Sequence, residues 1–331
     1  MFLNFYKKGL KDIWFNYKSL RKEVFNKYHI DNKIIVPGKK NLILKVKIIN
    51  NRNNKQLIKI LNNTINNYKN EYRATNDFKK FFNNKYEISL KRSDFVKLLR
   101  TGKDILKIPM FGLIFIIFEE LTVLICYLFP SITPSTCILP QLSSRYYQSS
   151  KMAQNKLGKV VIKHQDQIQK DIIKYASRTP YTITEEELYP LIDLFKLRSP
   201  LIPLRFYSTE TLRDNLQLKF QEILVDNFLI LRDGGIWNLN KLELLDACIN
   251  RGLINYDKLI KLSRESNKSL YDSIDQNILR LRLFKFINDL NLVETTNVGY
   301  LSLNGCSMDM IDNIDPNKSL TFIRQTLVNN L

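Results

Sequence analysis

Apolar residues recur at roughly helical spacing from the start of the chain. Phe2, Leu3, Phe5, Tyr6, Leu10, Ile13 and Trp14 predict a helix within the first thirty residues, where Asp12 and Glu23 are the only acids. From residue 31 to about 75 the pattern gives way to Asn, Lys and Ile, as in Asn50-Asn51-Arg52-Asn53-Asn54, a composition that constrains a fold weakly. Within it, Asn41 to Ile49 fits either a strand or part of a helix. Residues 108–129 then form the longest apolar run of the chain, interrupted by Glu119 and Glu120. Helical alternation resumes after Gln141: Val160, Val161, Ile168, Ile172 and Ile173 mark residues 151–177. Thr184 with Glu187 has capping-box spacing and opens a helix that Pro190 should kink early and Pro200 and Pro203 end. A further helix covers Ser208 to about Leu231, and Asp233-Gly234-Gly235 is a turn. Asn240 with Glu243 repeats the capping-box spacing for a helix ending near Gly252, and a further helix covers about Ser269 to Leu290.

The apolar run decides the class of protein. As one helix at about 1.5 Å per residue it covers roughly 30 Å, the hydrocarbon thickness of a bilayer. Pro109 stands at a permitted helix start, and Pro130 and Pro134 end it. Its fourteen Leu, Ile, Val and Phe residues contribute about −4 to −8 kcal/mol to insertion, and two central carboxylates oppose it by about 5–7 kcal/mol. The sum is near zero, so a span requires these acids to be protonated, paired or turned to water. The rival is a hairpin of two apolar helices buried in a water-soluble core.

Charge separates the chain at the same place. Residues 1–107 hold 26 Lys and Arg against 8 Asp and Glu, while the remaining residues hold 25 against 24. A basic half suits nucleic acid, anionic lipid or a targeting sequence, or reflects a plain Lys/Asn bias. The Lys-based helix at the start resembles a mitochondrial presequence; the alternative is an amphipathic surface helix.

Enzymatic chemistry has no visible support. The chain has no G-x-x-x-x-G-K-[ST], G-x-G-x-x-G, H-E-x-x-H or G-x-S-x-G. His29 and His164 stand far apart without a ligand pattern, and Cys126, Cys137, Cys248 and Cys306 form no C-x-x-C pair. Asp233-Gly234-Gly235 does not continue into a calcium loop. No cofactor and no metal are expected.

Two stretches resemble the Letm family of mitochondrial inner-membrane proteins, in its short fungal form without EF-hand or coiled coil. The first runs from Leu98-Leu99-Arg100-Thr101-Gly102-Lys103-Asp104 through Ile108-Pro109, the apolar run and Glu119 to Phe129-Pro130 and Pro134-Ser135-Thr136. The second is Asp226 to Gly252, with Glu243, Leu244, Ala247, Cys248, Arg251 and Gly252 as the Letm-type helix motif. The resemblance implies a mainly α protein: a membrane-embedded helix or hairpin, followed by a helical 14-3-3-like domain that faces the matrix and binds the mitochondrial ribosome. The domains expected are a presequence over 1–35, a basic region over 36–90, a membrane segment over 91–140 and the Letm-type domain over 141–331. It further implies a part in potassium/proton exchange and organelle volume, with Glu119 or Glu120 as the coupling acid. Homo- or hetero-oligomers with other Letm-type proteins are implied too, since one span encloses no pathway. The alternative is a membrane-anchored ribosome-binding protein that aids insertion of new inner-membrane proteins.

Orientation is in conflict. Lys97, Arg100, Lys103 and Lys107 precede the run and only Arg145 follows within twenty residues of Pro130, which places the N-terminal side in the matrix. The resemblance places the C-terminal side there. A hairpin that enters and leaves on the matrix face satisfies both.

Overall fold

In the computed structural model the described residues are 2–27, 31–32, 44–45, 51–75, 88, 90–139, 142–199, 202–266, 273–292, 296–306 and 315–329. They are mainly helical, and the chain divides into two compact units. Unit 1 comprises Met1–Leu142 with Leu224–Asp233; unit 2 comprises Ser143–Ile223 with Gly234–Leu331.

Unit 1 opens with α1 (Phe2–Lys27), followed by a two-residue antiparallel pairing of β1 (Asp31–Asn32) with β2 (Leu44–Lys45). Apart from Leu44 and Lys45, the segment read as strand or helix over 41–49 lies outside the described residues. Then come α2 (Asn51–Thr75), α3 (Arg92–Asp104), α4 (Ile108–Phe118) and α5 (Thr122–Leu128). In α1 the buried residues Tyr6, Gly9, Ile13 and Leu20 fall within an arc of about 60°, so one narrow stripe faces the core. That stripe packs on α3 and on the 3-10 turn Ser135–Cys137. α2 lies on α3 with Leu57, Ile58, Leu61 and Ile65 buried.

Unit 2 holds α6 (Ser143–Tyr146), α7 (Gln148–Lys163), α8 (Gln165–Lys170), α9 (Ile172–Ala176), α10 (Glu185–Leu194) and most of α11 (Thr209–Arg232). It continues with α12 (Lys241–Asn250), α13 (Tyr256–Ser266), α14 (Gln276–Leu292), α15 (Val298–Cys306) and α16 (Pro316–Asn329). α7 packs on α10 and α15 around Leu157, Leu188, Leu191 and Leu301; α12 packs on α14 around Leu244, Cys248, Leu283 and Phe286. The buried Gln154 amide donates to the carbonyls of Ile254 and Gly305, both at 2.9 Å, and accepts from the Tyr256 N–H, so its polar capacity is used.

Local signals behave differently at the two expected capping boxes. At Asn240 both halves form: its side chain accepts from the Glu243 N–H and the Glu243 carboxylate accepts from the Asn240 N–H. At Thr184 the side-chain cap is absent. Glu187 instead accepts both guanidinium N–H groups of Arg178 at 2.8 Å, and the Tyr175 hydroxyl donates to it. A charge-assisted bidentate pair outweighs a cap, and Glu187 is wholly buried by it. Pro190 lies inside α10, which continues to Leu194; Pro200 lies outside the described residues. The helix expected from Ser269 is described from Gln276.

Candidate functional site

The apolar run is two short helices instead of one. α4 has eleven residues with Pro109 in its first turn, and ends at Glu119, whose φ of 23° and ψ of −85° are incompatible with a continuing helix. A 3-10 turn, Glu119–Leu121, leads into the seven residues of α5, which stop before Phe129-Pro130. No helix among the described residues is long and apolar enough to cross a membrane. The expectation of one span over 108–129 is thereby corrected. Linear hydropathy treats the run as one rod, while the backbone turns at Glu119. Eleven residues rise about 16 Å, half a bilayer's hydrocarbon thickness.

Polar bonds close the base of this hairpin. Asp104, 1% exposed at the end of α3, accepts from the Ser135 N–H (2.8 Å) and hydroxyl (2.8 Å) and from the Thr136 N–H (3.1 Å) and hydroxyl (2.7 Å). Lys107 Nζ donates to the Thr133 carbonyl at 3.1 Å. Residues 104–107 and 133–136 are thus tied together, and the apolar run leaves where it entered. Burial lowers the Lys107 ammonium from its ordinary value, with Asp104 opposing that shift. Burial, aided by Asp104, pushes the Cys137 thiol up to about 12, so it stays a neutral core residue. Asp104 was not singled out from sequence; the signal available was the Pro134-Ser135-Thr136 turn, whose free donors call for an acceptor.

The hairpin covers only one of its faces. Phe111 and Cys126 join Tyr6, Ile13, Cys137 and Leu139 in a core, with Phe115 and Val123 against it. The Tyr6 ring lies edge-on to Phe111 at 5.6 Å, and burial followed by the nearby Cys126 raises its hydroxyl. The other face is exposed: Met110, Leu113, Ile116 (81% exposed), Ile117, Phe118, Leu121, Leu124, Tyr127, Leu128 and Phe129 all remain open to solvent. Ten such side chains, each about half exposed, leave on the order of 800 Å² uncovered, above the few hundred Å² usual for a soluble monomer.

The sequence-nominated residues fall in different places. Glu119 is exposed at the turn of the hairpin; the Glu120 side chain lies outside the described residues. Pro109 opens α4, Pro130 opens a 3-10 turn and the buried Pro134 precedes the turn that Asp104 holds. The second motif belongs to unit 2 and is a capped helix. Glu243 completes the N-terminal box; Leu244, Ala247 and Cys248 are buried. Gly252, at φ 72°, ends the helix with its N–H on Ile249 O and the Leu253 N–H on Cys248 O, a Schellman closure. Arg251 is wholly buried and donates to Ala247 O at 2.9 Å. His29 lies outside the described residues, and His164 sits 4.0 Å from Glu187 beside Tyr175. Among the described residues no group of three or more His, Cys, Asp or Glu side chains is placed to hold a metal ion.

Residues 1–233 match the model of the pentamidine resistance factor domain. A curated relative is the mitochondrial pentamidine resistance factor of Saccharomyces cerevisiae, 27% identical over 212 residues. The match takes in 60% of this chain and 48% of the relative, so the chain spans about half that protein's length. No solved structure matches. The Letm assignment is overturned by these matches, and the 14-3-3-like form attached to it has no structural relative behind it. The family match ends at Asp233, before α12, so half of what carried the Letm resemblance lies outside it. That half is a pair of helix caps around a few buried residues, a pattern unrelated helices share. Matched over 233 of its 331 residues, the chain belongs to the pentamidine resistance factor family.

Proposed function

We propose that this chain is a mitochondrial protein held on one face of a membrane by the hairpin α4–α5. One observation carries the reading: a large bare apolar face stands on a hairpin whose two ends are tied by Asp104. Magnitudes favour insertion. Covering ~800 Å² at about 25 cal/mol per Å² is worth on the order of 20 kcal/mol. Two acids at the turn oppose it by about 5–7 kcal/mol. On this area scale the gain exceeds the cost of the acids, and a hairpin needs to reach only the middle of the bilayer.

The mitochondrial location follows the name of the yeast relative, and the inner membrane is the membrane we assign. Potassium/proton exchange and ribosome binding came with the Letm resemblance, and no feature of the hairpin or of unit 2 supports them once the family is corrected. The reading is of a non-enzymatic membrane-docking protein. Carbonate extraction of mitochondria tests it: the wild-type chain should stay in the membrane pellet, and a variant with Leu113, Ile116, Ile117 and Leu121 changed to Ser should be released at normal abundance. Release of the wild type, or retention of the variant, would overturn it.

A further inference from the structure

Beside the hairpin, α1 turns a second face outward that takes no part in the core. Among its described side chains, over residues 4–20, the exposed ones are Asn4, Lys7, Lys8, Lys11, Asp12, Trp14, Phe15 and Lys18. At 100° per residue, Lys7, Lys11, Trp14 and Lys18 fall within an arc of about 60°, with Phe15 and Lys8 next to it. Asp12 lies at the far edge of the exposed arc, about 100° from Lys11. The Lys18 ammonium stands 5.4 Å from the Trp14 ring centroid, and Trp14 stacks on Tyr17. α1 is fixed to the hairpin by rings: Tyr6 meets Phe111 at 5.6 Å and Phe115 at 6.3 Å. Lysines interleaved with Trp and Phe on one helix face are the chemistry of a membrane interface, where the rings sit among headgroups and the ammonium groups meet phosphate.

We infer that this face of α1 binds anionic phospholipid headgroups at the foot of the inserted hairpin, selecting negatively charged membranes over neutral ones. The inference rests on the membrane reading above. Charge complementarity identifies the occupant: residues 1–107 carry 26 basic against 8 acidic side chains, and the α1 lysines lie on an element packed into the same core as the bare apolar face. A nucleic acid would meet the lysines and leave that apolar face uncovered. A bilayer with anionic headgroups meets both.

Flotation of the full chain with vesicles tests this, comparing pure phosphatidylcholine with phosphatidylcholine partly replaced by phosphatidylglycerol. The wild type should bind both and prefer the anionic vesicles, with the preference shrinking as salt rises. Each lysine at an anionic surface adds about a fivefold gain, so the triple variant K7Q/K11Q/K18Q should lose on the order of 100-fold of the anionic binding and none of the neutral binding. An unchanged thermal midpoint shows that the variant folds, as exposed positions allow. Equal binding to both compositions, or an anionic preference that survives in the triple variant, overturns the inference and leaves the hairpin reading standing. Failure to float with either composition overturns both.

Discussion

The hairpin of unit 1 and helix α12 of unit 2 both stand out in the sequence, and they differ in what their apolar residues do. In α12, Leu244, Ala247 and Cys248 are buried, and both ends are closed by local caps. In the hairpin, apolar residues from Met110 to Phe129 such as Leu113, Ile116, Ile117 and Leu121 stay exposed, and the polar bonds gather at the base. α12 is a finished structural element, and a match to its pattern says little about kinship. The hairpin is unfinished by itself, and the membrane proposed for it is what would complete it.

The largest effects separate the two by measurement. Changing Leu113, Ile116, Ile117 and Leu121 to Ser should lower vesicle binding by well over 100-fold, since each exposed aliphatic side chain stands to gain about 1.5–3 kcal/mol on burial. The thermal midpoint should hold or rise, because none of the four packs in the core. Leu244→Ala should do the reverse: about 2–5 kcal/mol of stability lost in denaturant titration, with vesicle binding intact. If both substitutions moved both quantities alike, the contrast between the regions would be gone.

Asp104→Ala comes next. It strands the N–H and hydroxyl donors of Ser135 and Thr136, and a loss of about 3 kcal/mol is expected, confined to unit 1 and visible as faster hydrogen exchange across residues 104–137. Smaller still, Asn240→Ala and Gly252→Ala should each cost about 1 kcal/mol, the first by removing a cap and the second by forcing a Cβ into φ 72°.

The smallest effect is one of pH. Arg92 and Arg232 hold residues 90–92 to the end of α11: Arg92 pairs with Asp226 at 2.8 Å and its backbone N–H donates to Asp233, while Arg232 donates to Leu90 O at 2.7 Å. Burial pushes the Asp233 carboxyl up, but Arg232 and the Arg92 N–H more than offset it and keep it below its ordinary 3.8. A depressed carboxyl contributes stability in full above pH 3.8 and loses it as pH falls through the lower folded value. Asp233→Asn should therefore flatten the acid limb of the stability curve and leave the limb above pH 5 unaltered in slope.

How much of this could be seen in the sequence depended on how far apart the partners are. Asn240, Glu243 and Gly252 lie within one helix and its caps, and the reading of that helix holds to within two residues at each end. The helix expected over Ser208 to Leu231 is found as Thr209–Arg232 for the same reason. Thr184 and Glu187 share the spacing but not the outcome, because Arg178, nine residues from Glu187, offers a stronger partner that spacing does not reveal. Hydropathy leaves span and hairpin open at the apolar run for a related cause. What folds it back is a bond between Asp104 and Ser135, 31 residues apart, and no hydropathy sum contains that bond. The hairpin stands among the alternatives because the two acids interrupt the run and because the lysines before it conflict with the orientation the resemblance implies.

The same-face entry and exit of the apolar run is what a topology measurement reaches most directly. Single-cysteine variants at Lys103 and Ser149, exposed positions on either side of the hairpin, can be treated with a membrane-impermeant maleimide in sealed mitoplasts and again after detergent. The two sites should behave alike, both protected in sealed mitoplasts or both labelled. One labelled and the other protected would mean that the run crosses the membrane, and the hairpin would be wrong.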